Sequence, residues 1–476
     1  MSQFNRRQFL AGAGAATFMG GAGALSSLVS SQAYAADPSG YKALVCVFLF
    51  GGMDHGDTVL PYDMESYNKL AGLRQGLFSA YGVGSGTSSR DRDNLLALNP
   101  VNSTSFGGRQ FALPGELAPL HSLFEQGELS IVGGLGPLVA PTTRSAMDAN
   151  SVVVPERLFS HNDQQSTWMA LGVEGARLGW GGRFVDAALQ GGAVGDPTFS
   201  AISTDSSSVF LFGEATRPFR AAGGDPIGLD AVEKRWLLGG NSRYNEVRQR
   251  LLQHFSQGNS TSSNTFERDF LAARAGGVLT GYEYRAARLG AAPLATEFPG
   301  GRLGGQLKTV AETISVRSML AANRQVFFVG MGGFDTHNNQ AGDLPGLHNE
   351  LAGGLSAFRD AMVELGVWDD VTLFTMSDFG RTLNDNGDGT DHGWAGHHFV
   401  MGGGVRGQHI YGDIASPDPD SEAYTSSRPR LIPSVSVEQY AASLGGWFGL
   451  DQGAIQSTLP NLANFSGADL DLFATA

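Results

Sequence analysis

Six of the ten histidines of this 476-residue chain fall between His337 and His409, a crowding that chance placement seldom gives. Aspartates stand among and ahead of them in short segments: Gly51-Gly52-Met53-Asp54, Gly332-Gly333-Phe334-Asp335-Thr336-His337, Ser377-Asp378-Phe379-Gly380-Arg381 and Thr390-Asp391-His392-Gly393. Carboxylates mixed with imidazoles suit a divalent ion such as zinc, manganese or calcium, with positions left open for a substrate. Each segment also reads without an ion: Asp54 and Asp335 as turn or cap residues, Asp378 as the partner of Arg381. Asp391-His392 is the most ligand-like pair. His397 and His398 are adjacent, so in a strand they point to opposite faces, and structural roles are expected for both. His121, His254 and His348 are expected to be packed, hydrogen-bonded histidines.

Something must hold these segments together. Apolar runs at residues 43–50, 129–132, 325–329 and 371–376 read as strands buried on both faces, each followed by Gly, Ser or Asp. Between them lie helical patterns. The clearest covers residues 347–365, where Leu347, Leu351, Leu355, Phe358, Met362 and Leu365 form one stripe. Residues 230–254 and 266–289 also read as helical, with a polar linker at 256–265, and residues 82–92 and 415–430 read as surface loops. Strands alternating with helices predict a doubly wound α/β fold: a mostly parallel sheet flanked by helices, with a mainly helical insertion around residues 215–310. Open sheets of this kind bind ligands beyond the carboxyl ends of their strands. Acids arriving there from three strands should converge on one crevice.

Composition narrows the function classes. A formal charge of −14 excludes a basic face for nucleic acid or anionic membrane. The lone cysteine, Cys46, allows no internal disulfide and sits in an apolar run as a packing residue. The first residues carry Asn5-Arg6-Arg7-Gln8-Phe9-Leu10, a Gly- and Ala-rich apolar run and the small-x-small site Ala33-Tyr34-Ala35. That order predicts a removable signal over residues 1–35 of twin-arginine type, with the twin-arginine translocase as export partner and a periplasmic or secreted mature chain over 36–476. The mature chain shows no apolar run long enough for a membrane span.

In order along the chain, the signal, Gly-Gly-x-Asp, Phe-Asp-Thr-His, Ser-Asp-Phe-Gly-Arg, Asp-His-Gly and the tail from Gln439-Tyr440 to Pro460-Asn461-Leu462 resemble a bacterial family of unknown function, numbered fifteen hundred and one. That family is grouped with the alkaline phosphatase and sulfatase superfamily. The resemblance implies one or two metals between strand-end Asp and His residues, which carries over to Asp54, Asp335, His337, Asp378, Asp391 and His392. It implies a side-chain nucleophile, for which Ser160 is the best match, with His161 or the metal to activate it and Thr58 as the lesser candidate; the alternative for Ser160 is an ordinary helix cap. Arg381 would clamp an oxyanion or pair with Asp378. The pattern also departs from the superfamily. Neither the Cys-x-Pro-x-Arg motif nor the Asp-Ser-Ala context is present, and Phe379 stands where a His follows the Asp in better-known members. The expectation is an exported metal-dependent hydrolase of phosphate or sulfate esters, on small molecules or within a polysaccharide or lipid. The alternative is a non-catalytic envelope or secreted protein that keeps the scaffold.

The twin-arginine reading has a direct test. Replacing Arg6 and Arg7 by Lys should leave unprocessed precursor in the cytoplasm when fractions are blotted, and mature protein in the periplasm would overturn it.

Overall fold

The computed structural model describes residues 40–206, 208–221, 244–256, 264–467 and 469–474. The expected signal at 1–35, the first part of the expected helix (230–243) and most of the expected linker (257–263) lie outside the described residues. The core is a nine-stranded sheet of β1 (Lys42–Leu49), β2 (Leu129–Gly136), β3 (Ala201–Ser203), β4 (Phe219–Arg220), β5 (Arg324–Met331), β6 (Val371–Ser377), β7 (Gly396–Met401), β8 (Ile410–Gly412) and β9 (Val435–Ser436). The spatial order is β8-β2-β7-β6-β1-β5-β3-β4, with β9 also pairing β2. The four expected runs are its central strands β1, β2, β5 and β6. β1 pairs parallel with both β5 and β6. β7 is antiparallel to β2 and to β6, so β2 still points the same way as its neighbours beyond.

Burial on both faces explains why these strands read as unbroken apolar runs. Along β1, Ala43, Val45, Val47 and Leu49 enter one core, and Leu44, Cys46 and Phe48 enter the other. The first core is closed by α2 (Ala118–Glu125), α7 (Arg302–Ser315) and α8 (Gln340–Glu364), the second by α3 (His161–Ala170), α4 (Trp180–Gln190) and α9 (Val437–Phe448). Helices on both faces of a mostly parallel sheet make the fold doubly wound α/β. Cys46 is fully buried, and burial pushes its thiol pKa well up, as a packing residue requires. The apolar stripe lies in α8, which starts at Gln340, ahead of the stripe, because its first turn buries that polar side chain. The insertion region holds α5 (Tyr244–Ser256) and α6 (Thr265–Leu289); α1 (Met64–Leu73) follows the short turn at the end of β1. Among the described residues no helix is long and apolar enough to cross a membrane.

The loop at 82–92 differs from the expected surface loop at Ser88, Arg90 and Asp91, which are buried. Arg90 is fully buried, because Asp57 and Glu116 both need its charge beneath the surface. The structural histidines are held in different ways, with Nδ1 of His348 and Nε2 of His398 left buried and unpartnered among the described residues. His397 Nδ1 accepts from Gly134 N at 3.1 Å and its ring meets His55 at 5.5 Å. On the opposite face of β7, His398 shares a hydrogen bond with Thr375 Oγ1 and rests on Trp168. His121 Nε2 donates to Ala97 O at 2.8 Å, and His348 shares a 3.3 Å hydrogen bond with Thr58 Oγ1. The side chain of His254 lies outside the described residues.

Burial pushes three of these imidazoles far down: His55 to about 3, His397 to about 4 and His398 to about 3. In the unfolded chain they titrate near 6.5. Below that pH the unfolded chain therefore binds protons that the folded one refuses, so stability is full above about 6.5 and falls with pH, by up to about 1.4 kcal/mol per pH unit for each histidine. Thermal melts between pH 7.5 and 4.5 should show this decline, and His397→Asn should make it shallower. A melting temperature that is flat across the window would contradict the burial of neutral rings.

Candidate metal centre

Three loops meet at the carboxyl edge of the sheet because glycines let them. Gly51 and Gly52, after β1, have φ of +116° and +102°. A side chain on Gly51 would collide with the backbone of Asp335, and one on Gly52 with the ring of Phe379. Asp335, after β5, and Asp378, after β6, are thereby drawn to one point. Residues 390–393 return to it, with Gly393 packed against the backbone of Arg381.

Three imidazoles converge on Asp335, each held from behind. His161, the first residue of α3, places Nδ1 2.6 Å from Asp378 Oδ2 and Nε2 3.5 Å from Asp335 Oδ2. His392 Nδ1 lies 2.9 Å from the Phe159 carbonyl, and its Nε2 is 3.3 Å from Asp335 Oδ1. His337 Nδ1 faces Asp391 Oδ1 at 3.3 Å, and its Nε2 is 3.1 Å from Asp335 Oδ1 and 2.8 Å from His392 Nε2. A carbonyl only accepts, so His392 carries its proton on Nδ1 and aims a lone pair from Nε2 into the centre. The Asp378 carboxylate does the same for His161. A carboxylate or carbonyl behind each imidazole is the outer support that metal-ligating histidines use.

The spacing fits an ion. Tetrahedral ligands with bonds of about 2.0–2.1 Å stand about 3.3 Å apart; His392 Nε2 lies 3.3 Å from Asp335 Oδ1, and His161 Nε2 3.5 Å from Asp335 Oδ2. His161, Asp335 and His392 each offer one ligand atom, all within 4.8 Å of one another. Asp335 is 46% exposed and His337 41%, so one side of the centre opens to solvent.

The other expected residues lie elsewhere or do something else. Asp54 is not in this cluster: Arg74 takes both its oxygens at 2.7 and 2.9 Å, Gln340 Nε2 donates at 2.6 Å, and Gly56 N uses it as a cap. Thr58 is buried against His348. Ser160 is the N-cap residue of α3, and its hydroxyl donates to Asp163 Oδ2 at 2.9 Å rather than facing His161. Arg381 pairs with Asp335 at 2.9 Å, not with Asp378, and gives three further hydrogen bonds, one to Gly51 O and two to Thr390. Four of its five N–H donors are taken by these partners. Asp378 and Asp391 stand behind imidazoles instead of beside Asp335. Gln165, one helical turn after His161, also donates to Asp378 Oδ2, at 3.0 Å; the i, i+4 spacing from His161 was the available signal. The Phe159 carbonyl, turned inward by a φ of +74°, had none.

The family model described as "Protein of unknown function (DUF1501)" matches residues 41–430. The chain belongs to that family. No curated protein matches it. Among solved structures, the Zn complex of the C-terminal periplasmic domain of EcEptC from Escherichia coli is similar at 9% identity and a TM-score of 0.36, over 93% of this chain and 90% of that one. Alkaline phosphatase from the Antarctic bacterium TAB5 is similar at 9% identity and a TM-score of 0.25, over 77% and 93%. Identities and scores this low say nothing of chemistry in the DUF1501 chain, where the residues themselves must speak.

Electrostatics favours ligand-competent states at Asp335 and His392, and the protonated form at His161. Burial works against the Asp335 carboxylate, but the hydrogen bond and charge of Arg381, with His337 and His161, hold its pKa below the usual range. Burial lowers His392, keeping it neutral. The Asp378 hydrogen bond raises His161. Phe379 closes the wall, its ring centroid 4.8 Å from that of His161 and 4.5 Å from that of His392. If this centre holds zinc, His161→Ala, His392→Ala and Asp335→Asn should each lose it in metal analysis of purified protein. Asp378→Asn should weaken zinc affinity by about 10–100-fold. Asp54→Asn should keep the zinc but cost about 3–5 kcal/mol in denaturant melts, because Arg74 is left buried and uncompensated. Zinc retained by the first three variants would exclude the centre.

Proposed function

We propose that this chain is an exported, metal-dependent hydrolase of phosphate or sulfate esters, working in the periplasm or outside the cell. The observation that carries the reading is the convergence of the His161, His392 and Asp335 ligand atoms, with Nδ1 of each imidazole anchored and one side open. Two imidazoles, a carboxylate and an open position are the donor set of a catalytic divalent site. When bound, such an ion supplies Lewis acidity toward an ester oxygen and toward water.

The chain's own groups take the remaining roles. Arg381 balances the charge of Asp335, so the carboxylate stays ionised at the centre. Asp378 and the Phe159 carbonyl fix the ring orientations of His161 and His392. His337 stands on the open side, steadied through Nδ1 by Asp391, and its Nε2 is placed to carry a proton to or from the reacting oxygen. Arg428, 70% exposed and 3.9 Å from Asp391, can meet an anionic ester at the rim. With the Ser160 hydroxyl committed to Asp163, water is the attacking group.

The roles separate in one set of assays with p-nitrophenyl phosphate and p-nitrophenyl sulfate on zinc- or manganese-loaded protein. His337→Ala should keep the metal yet lose kcat by about 10²–10⁴-fold, the usual worth of a proton-transfer group. Ser160→Ala should keep most of the activity. Loss of activity in Ser160→Ala at unchanged melting temperature would restore the serine as nucleophile. A metal-loaded protein that hydrolyses neither ester class would move the chain to the non-catalytic reading.

A further inference from the structure

A cavity of about 330 Å³ adjoins the first turns of α3, next to the metal centre. Its floor is aromatic: the half-buried Phe50 ring lies 4.7 Å from Phe48 and 6.3 Å, edge-on, from the buried Phe328. Phe50 immediately precedes Gly51, whose carbonyl receives Arg381. Its rim carries Asn162, Gln165 and Glu174. Gln165 belongs to both places, since its Nε2 donates to Asp378 while its Oε1 has no hydrogen bond among the described residues. Asn162 Nδ2 gives one of its two hydrogens to Glu174 Oε1 at 3.4 Å, and Asn162 Oδ1 and Glu174 Oε2 have no hydrogen bond among the described residues.

We propose that this cavity is a subsite for a neutral hexose ring, the leaving group of the ester; calling it a leaving group rests on the hydrolase reading, whereas the sugar binding does not. The rim is rich in unspent acceptors. A ligand that fills it must bring several donors, and sugar hydroxyls do so while still accepting from neighbours. A purely apolar ligand would strip water from those acceptors and return nothing. An anion finds no Lys or Arg in the lining to receive it. A cation gains little, because the one charge is exposed and screened. The C–H face of a hexose meets the Phe50 ring, and the volume is at the lower end of the range for small-ligand sites.

The test uses the full mature protein and binding rather than turnover. Methyl glucosides, methyl galactosides and short maltooligosaccharides are titrated and followed by saturation-transfer NMR, with the zinc affinity of every variant measured in parallel. The expected result is saturable binding of at least one methyl hexoside, weakened about tenfold or more by Phe50→Ala, and also by Glu174→Ala, which is exposed and safe for folding. Zinc affinity should stay unchanged in both. Stronger binding of the oligosaccharides would identify a chain end as the source of the ring, and equal binding a monosaccharide. Absence of binding by every sugar, or binding that neither variant weakens, would overturn the subsite, even if simple aryl esters are hydrolysed. Sugar binding by a protein that holds no metal would sink the hydrolase reading alone.

Discussion

The guanidinium of Arg381 is the constraint on which the carboxyl edge of the sheet depends. It is fully buried, and a buried cation persists only where most of its donors are met and a counter-charge is near. Gly51 O comes from the end of β1, Asp335 from the end of β5, and Thr390 from the loop that returns after β6. Three separate stretches of chain are therefore satisfied by one planar group. Asp335 is shared: Oδ1 answers Arg381, while Oδ2 faces His161.

Beneath that group lies a second charged layer. Gln340 donates from Nε2 to Asp54, at 2.6 Å, and to Asp57, at 3.2 Å, and accepts at Oε1 from Thr336 and Thr390. Thr390 in turn receives Nε of Arg381. The Asp54–Arg74 and Asp57–Arg90 pairs are thus joined to the edge through one amide that donates on one side and accepts on the other. Burial tends to raise the pKa of Asp54, and Arg74 overcomes this to hold it at about 2. The strand-end aspartates differ in kind for this reason: Asp54 anchors the floor, Asp378 orients a ring, and only Asp335 faces the centre directly.

The central strands and the doubly wound layers were legible in the sequence because burial on both faces leaves an unmistakable apolar run, as in β1 and β6. The crevice was legible too, since strand-end acids have few other places to go. What each acid would do there was not. Asp54 and Asp335 both follow a strand and paired glycines, and the difference lies in Arg74, twenty residues away in sequence, which pairs with Asp54. Arg90 reads as a polar loop residue until Asp57 demands it. His161 stands out in sequence only as the neighbour of Ser160; its role depends on Asp378, 217 residues further on, and no local pattern encodes that distance. Phe379, an apolar residue directly after Asp378, is a wall for two imidazoles.

The inward carbonyl of Phe159 has a consequence for the whole segment between β2 and α3. A non-glycine residue at φ +74° holds a conformation that costs free energy and persists only when its surroundings demand it. The demand here is the Nδ1 proton of His392, together with Arg430, whose guanidinium lies 3.8 Å over the Phe159 ring. The loop and the centre are thus thermodynamically linked, and linkage is reciprocal. Whatever tightens the grip on His392 orders the backbone at 157–160, and whatever straightens that backbone releases the ring. A ligand that engaged only the loop would therefore be sensed at the centre without touching it.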